Sequence, residues 1–346
     1  MKAMILAGGL STRLYPLTRQ VPKPLVPVAG EPNSIHLIRY LRANGITDIA
    51  LNVHYLADQI VQRLGDGSAF DVKLEYLHER TLLGSAGALK QMQWYFRDEP
   101  FVVVGCDDLT DLPLGALVEF HAAKCAIASI GLIEREEVTQ YGVVVLDGQG
   151  RISEFQEKPA KGTERSKLVN TGIYAFSPAI FDWIPPDVFY DFGKDVFPNL
   201  QQSGAAFFGY EALGAYWCDI GTPQEYLRAT LDVLNERFYI PQTRSSGIDP
   251  TAHVGPRASV EGAVWIGRGA VLGAGAAVVG PSVIGDTVRI GPGAIVERSI
   301  LWDGTEVGQG AHVSDSITGI NYYVDAGSTL RHAIVANGGA KEEATS

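Results

Sequence analysis

Two cationic side chains in one short segment of this sequence have the types and spacing to bind phosphate groups. The segment LAGGLSTRLYPLTRQVPKPLVPV runs from Leu6 to Val28 and contains a Gly8-Gly9 pair, Arg13 and Lys23. A glycine turn after a strand lets backbone N–H groups approach a phosphate closely. The planar guanidinium of Arg13 can bridge phosphate oxygens. Taken singly, these features are those of a tight connection or a solvated charge, but together they favour a phosphate site.

The backbone around Lys23 is restricted by a proline on each side. Pro22 fixes its own φ, and Pro24 disfavours helical conformations at Lys23, so we predict that Lys23 is extended. A side chain whose backbone is already fixed loses less conformational entropy when it binds. The pattern therefore predicts a preorganised cation for an anionic ligand.

Alternating strand and helix patterns fill the first two-thirds of the chain and must position these cations. Strand patterns occur at AMILA (3–7), DIALNV (48–53) and FVVVGCDD (101–108), with the helical pattern NSIHLIRYLRANG (33–45) between the first two. This alternation predicts an α/β domain in which helices cover a mostly parallel sheet.

The last third of the chain has a different period. Apolar residues recur at six-residue spacing, at Val254, Val260, Ile266, Leu272, Val278, Ile284, Ile290 and Val296. A period of six is typical of a β-helix in which one apolar residue of each repeat faces the axis. The phase shifts by one residue between Val296 and Leu301. We predict that Trp265 and Trp302 face outward and suit contacts in a homo-oligomer.

These patterns divide the chain into four parts. We predict an α/β domain at residues 1–238, a linker at 239–250 rich in Pro, Gly and Ser, a β-helix at 251–335 and a disordered tail at 336–346.

The composition limits the classes of partner. The 346 residues are 46% hydrophobic, carry a formal net charge of −11 and contain no block of five or six basic residues. Nucleic acid and anionic membranes are therefore not expected as main partners. The three cysteines form no close pairs, which predicts a reducing, cytoplasmic location. No stretch approaches the roughly 18 apolar residues that a membrane span needs.

The Leu6–Val28 segment closely resembles the signature of the sugar-nucleotide pyrophosphorylases, nucleotidyltransferases that join a sugar 1-phosphate to a nucleoside triphosphate. Further matching segments are LLGSAGAL (82–89), YGVVVLD (141–147), FQEKP (155–159), VNTGIYAF (169–176), KDVFP (194–198) and YWCDIGTPQEYL (216–227). The resemblance implies a Rossmann-like catalytic domain followed by a left-handed parallel β-helix. That combination is common in the branch that includes the mannose-1-phosphate guanylyltransferases.

The resemblance also implies roles for individual residues. Arg13, Lys23 and Asp107 would be catalytic. The nucleotide would be bound by Leu6, Ala7, Gly8, Gly9, Ser11, Thr12, Gly84, Ser85, Ala86 and Gly87. The sugar phosphate would be bound by Gly142, Glu157, Lys158, Asn170 and Thr171. Within that second set Lys158 would contact the phosphate and Glu157 the sugar hydroxyls, and Pro159 predicts a restricted backbone at Lys158.

A magnesium ion is the implied cofactor, held by Asp107 and Asp219. Mg²⁺ takes one or two carboxylates and completes its shell with phosphates and water. Asp107 follows an apolar strand, at the sheet edge where α/β proteins bind ligands. Asp108 and Asp111 are the competing candidates, and each would otherwise be a turn or cap residue. Because neighbours in an extended segment face opposite sides, the thiols that precede Asp107 and Asp219 should point into the core.

One position departs from the family pattern. Ser11 stands in GGLSTR where the family usually has glycine. Glycine accepts positive φ, so Ser11 is predicted either to be strained or to require a different turn. This departure leaves Arg13, Lys23 and both metal-site aspartates in place.

Three functions compete for this sequence. The first is an active nucleotidyltransferase that joins GTP to mannose 1-phosphate, with glucose-1-phosphate thymidylyl-, uridylyl- or adenylyltransfer as alternatives. The second is a non-catalytic regulatory subunit of the same fold. The third is an acyltransferase, which would need a catalytic histidine in the β-helix; His253, His312 and His332 lie in no recognisable motif.

Overall fold

The structure is a computed structural model, and it describes residues 1–238, 246–337 and 339–342. The chain divides into two compact units. The sheet unit comprises Met1–Leu10 and Leu37–Cys218, and the β-helix unit comprises Ser11–His36 and Asp219–Ser346. Within the described ranges, no helix has the length and apolar character that a bilayer crossing requires.

The sheet unit is built on a nine-stranded mixed sheet. Its strands are β1 (Lys2–Leu6), β4 (Asp48–Val53), β5 (Lys73–His78), β6 (Phe101–Gly105), β8 (Ala128–Glu134), β9 (Gly142–Leu146), β10 (Ile152–Glu157), β11 (Leu168–Phe176) and β12 (Phe207–Glu211). The order is β10-β9-β11-β6-β1-β4-β5, and β8 pairs with β11 and β12. Strands β6, β1, β4 and β5 run parallel, which brings their carboxyl ends to one edge. Two short strands, β7 (Asp108–Thr110) and β13 (Trp217–Asp219), pair with each other.

Helices and aromatic side chains cover this sheet. The helices are α1 (Asn33–Ala43), which begins in the β-helix unit, α2 (Ala57–Leu64), α3 (Gly84–Gln91), α4 (Gln93–Phe96), α5 (Leu114–Ala123) and α6 (Phe197–Gln202). Short 3₁₀ turns at Ser68–Phe70 and Pro178–Trp183 and a π-helical turn at Phe192–Val196 complete the unit. A chain of ring contacts fixes the core, through Phe101, Phe176, Phe181, Phe192 and Phe197. The sequence prediction of an α/β domain is confirmed.

The C-terminal repeats form a parallel β-helix of three stacked sheets. One sheet contains β14 (Gly247–Ile248), β17 (Val264–Ile266), β20 (Ser282–Ile284), β23 (Ile300–Leu301), β26 (Ile317–Thr318), β29 (Ala333–Ala336) and β30 (Gly339–Glu342). The second contains β15 (His253–Val254), β18 (Val271–Leu272), β21 (Arg289–Ile290), β24 (Glu306–Val307) and β27 (Tyr323–Val324). The third contains β16 (Ser259–Glu261), β19 (Ala277–Val279), β22 (Ile295–Glu297), β25 (His312–Ser314) and β28 (Thr329–Arg331).

The six-residue period and its phase shift both have a structural counterpart. Leu272 pairs with Ile290, one coil of 18 residues further on, whereas Ile290 pairs with Val307 after only 17. These aligned side chains are buried on the axis of the β-helix. Each such side chain contributes about 1.5–3 kcal/mol of stabilisation through burial.

The β-helix unit also contains a segment from the start of the chain. Residues Ser11–His36 form three 3₁₀ turns at Thr12–Leu14, Leu17–Arg19 and Lys23–Leu25 and a hairpin of β2 (Pro27–Val28) and β3 (Glu31–Pro32). Helix α7 (Pro223–Leu234) completes the unit, with Thr222 as its N-cap. The predicted 1–238 domain is therefore not one compact unit, because this early segment packs with residues beyond Cys218.

Two other predicted boundaries also need correction. In the predicted linker 239–250, residues 239–245 lie outside the described part of the chain, but Gly247–Ile248 already forms the first strand of the β-helix. In the predicted disordered tail 336–346, Gly339–Glu342 pairs antiparallel with Ala333–Ala336. Hydrogen bonding to the last coil orders this stretch although its composition favours disorder.

The two outward-facing tryptophans contact other residues of their own unit, and Trp302 is buried there. Trp302 follows the axial Leu301 and so points away from the coil, as predicted, yet it is only 1% exposed. Its indole Nε1 donates to the hydroxyl of Tyr226 in α7 at 2.9 Å. Trp265 packs against the turn at Gly30, where a Cβ would collide with the indole ring. The sequence-based interpretation of Trp302 as a subunit contact was therefore wrong.

Candidate active site

The Gly8-Gly9 turn at the end of β1 passes directly over two buried polar side chains. Ala7 N donates to Asn52 Oδ1 at 2.9 Å, and Asn52 Nδ2 donates to Glu79 Oε2 at 2.6 Å. A Cβ on Gly8 would lie 2.6 Å from that carboxylate oxygen and 2.7 Å from the amide nitrogen of Asn52, whereas a Cβ on Gly9 would meet nothing within 4 Å. The close contact of the turn with Asn52 and Glu79 therefore requires glycine at position 8, whereas position 9 has room for a Cβ.

A pocket of about 270 Å³ opens beside this turn. It is lined by Leu6, Gly8, Gly9, Asn52, Glu79, Leu82, Gly84, Ser85 and Phe189. Apolar walls with a few convergent polar groups are typical of small-molecule sites, and they suit a flat ring. Five predicted nucleotide-binding residues meet here, namely Leu6, Gly8, Gly9, Gly84 and Ser85. Ala86 and Gly87 are buried in α3, while Ser11 and Thr12 belong to the β-helix unit.

The second wall of the pocket is a loop held by backbone hydrogen bonds. Ala86 N and Gly87 N both donate to Tyr190 O, at 3.0 and 3.1 Å, and Tyr190 N donates to Leu83 O at 2.8 Å. Gly84 has φ +76°, and a Cβ there would lie 2.5 Å from Tyr190 O. The glycines of LLGSAGAL thus allow close packing against the segment that precedes the π-helical turn.

Ser85 anchors this loop through its side chain. Its hydroxyl donates to Asp191 Oδ2 at 2.9 Å and accepts from Phe192 N at 3.0 Å. Asp191 also caps the π-helical turn, accepting from the backbone N–H groups of Gly193 and Lys194. The hydroxyl of Ser85 is therefore engaged within the protein, and its contact with a nucleotide stays a prediction.

Asn52, Glu79 and Asp191 were missed by the sequence analysis. Glu79 immediately follows β5, at the same sheet edge as the Gly8-Gly9 turn, so its position at the end of a parallel strand was an available signal. Asn52 lies inside β4 and Asp191 in an irregular segment, and neither belongs to a recognisable pattern.

The three clustered aspartates after β6 have distinct surroundings. Asp108 is 3% exposed and accepts from Gly105 N and Trp217 Nε1, both at 2.9 Å. Asp111 Oδ1 accepts from Tyr216 N at 2.6 Å. Asp107 is half-exposed. Asp108 and Asp111, the other two candidates for metal ligand, therefore accept hydrogen bonds from neighbouring groups. This agrees with the turn or cap role that the sequence offered as their alternative. Cys106 and Cys218 are buried, also as predicted.

The predicted sugar-binding residues are partly brought together. The carboxylate of Glu157 lies against glycine backbone, because a Cβ on Gly142 or Gly193 would come within 3.3 or 2.8 Å of its Oε2. Desolvation raises the pKa of Glu157, Lys158 opposes the rise, Asp191 adds to it, and Lys194 also opposes it. Lys158 has φ +46°, so its backbone is left-handed and lies outside the extended region that a following proline favours.

Asn170 and Thr171 shape an irregularity in β11. The pairing of β11 with β8 shifts register between Asn170 and Tyr174. Thr171 is fully buried, donates to Gly131 O at 2.7 Å and accepts from Ile173 N at 3.3 Å. Its side chain thus fixes the irregularity, and its predicted sugar contact stays a prediction. Asn170 is half-buried, donates to the Tyr174 hydroxyl at 3.1 Å and accepts from Gly172 N at 2.9 Å.

Three predicted site residues of the β-helix unit converge. Arg13 Nη2 lies 3.6 Å from Asp219 Oδ2, and Lys23 Nζ lies 3.7 Å from Asp219 Oδ1. The side chain of Lys23 is 10% exposed and that of Arg13 is 52% exposed. One cation is thus held within the protein while the other reaches into solvent. Two positive charges around one carboxylate leave a net attraction for a further anion.

The turns that carry these cations differ partly from expectation. Ser11 has φ 55° and ψ 37°, the left-handed conformation for which glycine is favoured, and its carbonyl accepts from Thr18 Oγ1 at 2.7 Å. The strain predicted at Ser11 is therefore present, at a cost of roughly 1–2 kcal/mol. Lys23 begins the 3₁₀ turn Lys23–Leu25, in which Val26 N donates to Lys23 O at 3.1 Å. The prediction of an extended Lys23 was wrong because this turn overrides the preference set by Pro24.

The two residues that the sequence predicts as magnesium ligands are both carboxylates. No group of three His, Cys, Asp or Glu side chains among them is arranged to hold an ion. Mg²⁺ needs only one or two protein carboxylates when phosphates and water supply the other ligands. Asp107 and Asp219 are carboxylates of this kind.

Comparison with known proteins gives a consistent result. A family model described as nucleotidyl transferase matches residues 2–236. A UTP–glucose-1-phosphate uridylyltransferase from Synechocystis is 38% identical over 317 residues, covering 86% of this chain and 81% of its own. A mannose-1-phosphate guanylyltransferase from Mycobacterium tuberculosis is 32% identical over 301 residues, covering 86% and 83%.

A solved structure is also similar. It is named as a glucose-1-phosphate thymidylyltransferase from Bacillus anthracis in complex with sucrose. It is 27% identical with a TM-score of 0.60, and the match covers 66% of this chain and 94% of the other. The family match at residues 2–236 includes Arg13, Lys23, Asp107 and Asp219.

Proposed function

The chain belongs to the nucleotidyl transferase family, and we propose that it joins mannose 1-phosphate to GTP and releases pyrophosphate. A phosphate oxygen of the sugar 1-phosphate attacks the α-phosphorus of the nucleotide. The new P–O bond forms as the bond from that phosphorus to the bridging oxygen of pyrophosphate breaks. Because both reactants are anions, charge neutralisation and alignment provide most of the rate enhancement.

The converging cations supply that neutralisation. Lys23, buried and held 3.7 Å from Asp219, offers a fixed positive charge, and the more exposed Arg13 offers a mobile fork that can follow the transferring phosphate. Asp107 and Asp219 would bind magnesium, which would supply further neutralisation of phosphate charge. On the sugar side, Glu157 would accept hydrogen bonds from hydroxyls, and Lys158 would contact the phosphate.

The carboxylate of Glu79 is the observation that favours GTP. It lines the pocket beside Gly8, and an ionised carboxylate can only accept hydrogen bonds. Asn52 and Leu83 N each donate one bond to it, which leaves acceptor capacity on both oxygens. Guanine presents two adjacent donors, N1–H and N2–H₂, on one edge. Uracil and thymine present a single N–H between two carbonyl oxygens, and a carboxylate repels those oxygens.

A pyrophosphate-release assay that crosses GTP, UTP, dTTP and ATP with mannose, glucose and N-acetylglucosamine 1-phosphates tests the proposal. We expect the highest kcat/KM for GTP with mannose 1-phosphate. Highest activity with UTP and glucose 1-phosphate would instead support the second candidate, which the 38% identical uridylyltransferase favours. Absence of release with every pair would support the regulatory-subunit alternative.

The variant Glu79→Gln isolates the contribution of the carboxylate. Its kcat/KM for GTP should fall by roughly 10–100-fold, and its preference for GTP over UTP should narrow, because a neutral amide accepts fewer bonds from guanine and repels uracil less. The decisive measurement is the ratio of kcat/KM for GTP to kcat/KM for UTP, because a loss of folded enzyme lowers both values equally. An unchanged ratio would remove Glu79 from base selection.

The acyltransferase alternative needs a catalytic histidine in the β-helix, and one of the three candidates makes a contact within the β-helix instead. His312 Nε2 lies 2.9 Å from Glu297 Oε1, an interaction between successive coils. This contact accounts for His312 as a structural residue of the β-helix surface.

A further inference from the structure

A buried hydrogen-bond chain connects the β-helix to the segment that carries Lys23. Trp302 Nε1 donates to the Tyr226 hydroxyl at 2.9 Å, and that hydroxyl donates to Pro27 O at 2.6 Å. Tyr226 is fully buried and Trp302 is 1% exposed, and their rings meet edge to face at a centroid distance of 6.2 Å. Burial in this setting raises the pKa of Tyr226, so its hydroxyl stays protonated and able to donate.

The chain of contacts continues from Pro27 to the cation. Val26 N donates to Lys23 O at 3.1 Å, and Asn33 N donates to Val26 O at 3.0 Å, so the turn and the following hairpin share one hydrogen-bond network. Pro27 is therefore bound to α7 only four residues after Lys23. A shift of Pro27 must move the turn that fixes the direction of the lysine.

Two further contacts hold the same segment against the β-helix. The turn at Gly30, with φ +83°, packs against the indole of Trp265 in β17. Strand β29 of the last coil lies against the 3₁₀ turn Leu17–Arg19, between Arg13 and Lys23 in the sequence. Coils separated along the β-helix axis thus contact one short segment at several points.

We propose that Tyr226 and Trp302 are positioning residues for Lys23, and that the β-helix serves the reaction by fixing the cationic segment. The proposal rests on the role given to Lys23 in the proposed function. Neither residue touches a substrate. Each acts through Pro27, and a segment held at this point presents its charge without reorganising as the transition state forms.

The test compares Tyr226→Phe and Trp302→Phe with the unmodified chain. Tyr226→Phe removes the hydroxyl and keeps the ring, whereas Trp302→Phe removes the indole N–H and leaves a smaller aromatic side chain. Tyr76→Phe is a matched control, because the Tyr76 hydroxyl donates to Gly65 O at 2.7 Å within the sheet unit, whereas residues 11–36 belong to the β-helix unit. We expect kcat to fall about 10-fold for Tyr226→Phe, with KM changed less than about threefold, and the control to keep its kcat.

A double variant shows whether Trp302 acts through the Tyr226 hydroxyl, as a relay, or whether the two residues act independently. If Trp302 acts through the Tyr226 hydroxyl, Tyr226→Phe with Trp302→Phe should lose no more activity than Tyr226→Phe alone. Losses that multiply would overturn the relay. Unchanged kcat in both single variants would overturn the proposal as a whole.

Hydrogen exchange provides a readout that does not depend on the substrate. The amides of Leu25 and Val26 should exchange at least 10-fold faster in Tyr226→Phe, while amides of β20 should be unchanged if the β-helix stays folded. Unchanged exchange at Leu25 and Val26 would overturn the proposal.

Kinetic measurements use whichever substrate pair is fastest for the unmodified chain, so a wrong choice of GTP or mannose 1-phosphate leaves this test intact. If no pair reacts, the proposed function fails, and the exchange experiment still decides whether Tyr226 fixes the segment.

Discussion

The two units hold their candidate site residues in different ways. In the sheet unit, Gly8, Glu79 and Asp107 lie at or just after the ends of parallel strands, and backbone hydrogen bonds of the sheet fix them. In the β-helix unit, Arg13 and Lys23 lie on short 3₁₀ turns without a sheet of their own beyond a two-strand hairpin. Their support comes from Tyr226, 199 residues after Pro27, and from the coils behind it.

The two units therefore contribute different features: the sheet unit forms the pocket, and the β-helix unit carries the cations. Strand ends give a rigid pocket whose shape is set locally, which suits selection of a base. The cations depend on contacts far along the chain, so their placement can be weakened without damage to the pocket. Under the positioning role proposed for Tyr226 and Trp302, the β-helix, which the sequence assigned mainly to assembly, would also support catalysis.

The sharpest test within the sheet unit compares neighbouring aspartates. Asp107→Asn should lower kcat by roughly 100–1,000-fold, because asparagine keeps the size of the side chain but lacks its negative charge. Asp108→Asn should instead lower stability by about 2 kcal/mol, because its NH₂ group would face either Gly105 N or Trp217 Nε1, both of which donate to Asp108. Steady-state kinetics per folded molecule and thermal unfolding distinguish the two. A loss of kcat in Asp108→Asn with a loss of stability in Asp107→Asn would reverse the two assignments.

Acid should destabilise the sheet unit through one buried histidine. His121 lies between Ser129 Oγ and Ser177 Oγ, and burial lowers its pKa from 6.5 to about 4. The unfolded chain therefore binds a proton that the folded chain excludes, so stability is full above pH 6.5 and is lost as the pH falls towards 4. The loss from this group is about 3 kcal/mol.

The measurement is the stability of the sheet unit from pH 7 to pH 4 in the unmodified chain and in His121→Gln. The unmodified chain should lose more stability over this range, because glutamine does not titrate. Parallel pH profiles would show that His121 does not carry the effect.

The two glycines of the turn provide a smaller and more local test. Gly8→Ala should destabilise the protein by about 1–3 kcal/mol, since the added Cβ meets Glu79 and Asn52. Gly9→Ala should leave the melting temperature nearly unchanged, since no atom lies within 4 Å of the added group. Equal losses would mean that the turn is constrained by its backbone conformation and not by the side chains beneath it.

Much of the fold could be predicted because its signals are local. The strands β1, β4 and β6 and the six-residue period of the β-helix follow from short stretches of sequence. The phase shift after Val296 is visible as a single missing residue, and it appears in the structure as a 17-residue coil. Left-handedness of the β-helix and a homo-oligomer remain predictions.

The parts that could not be predicted depend on contacts between distant residues. Nothing near Pro27 indicates that Tyr226 will bind it, and the alternation at Leu301 places Trp302 outside the coil without showing that α7 covers it. Lys23 illustrates the same limit, since its two prolines indicate an extended backbone that the 3₁₀ turn overrides. Residue types and spacing brought Arg13 and Lys23 to attention, and the family resemblance added Asp219, but their convergence is visible only in three dimensions.

The last described strand has a consequence for the solenoid as a whole. A parallel sheet that simply stopped at β29 would present a row of unfilled N–H and C=O groups, to which a strand from another molecule could add. Because β30 turns back and pairs antiparallel with β29, those groups are filled by the same chain. The edge strand at that end is then β30, which has four residues, and a strand from another molecule would have to pair with β30 instead of with β29.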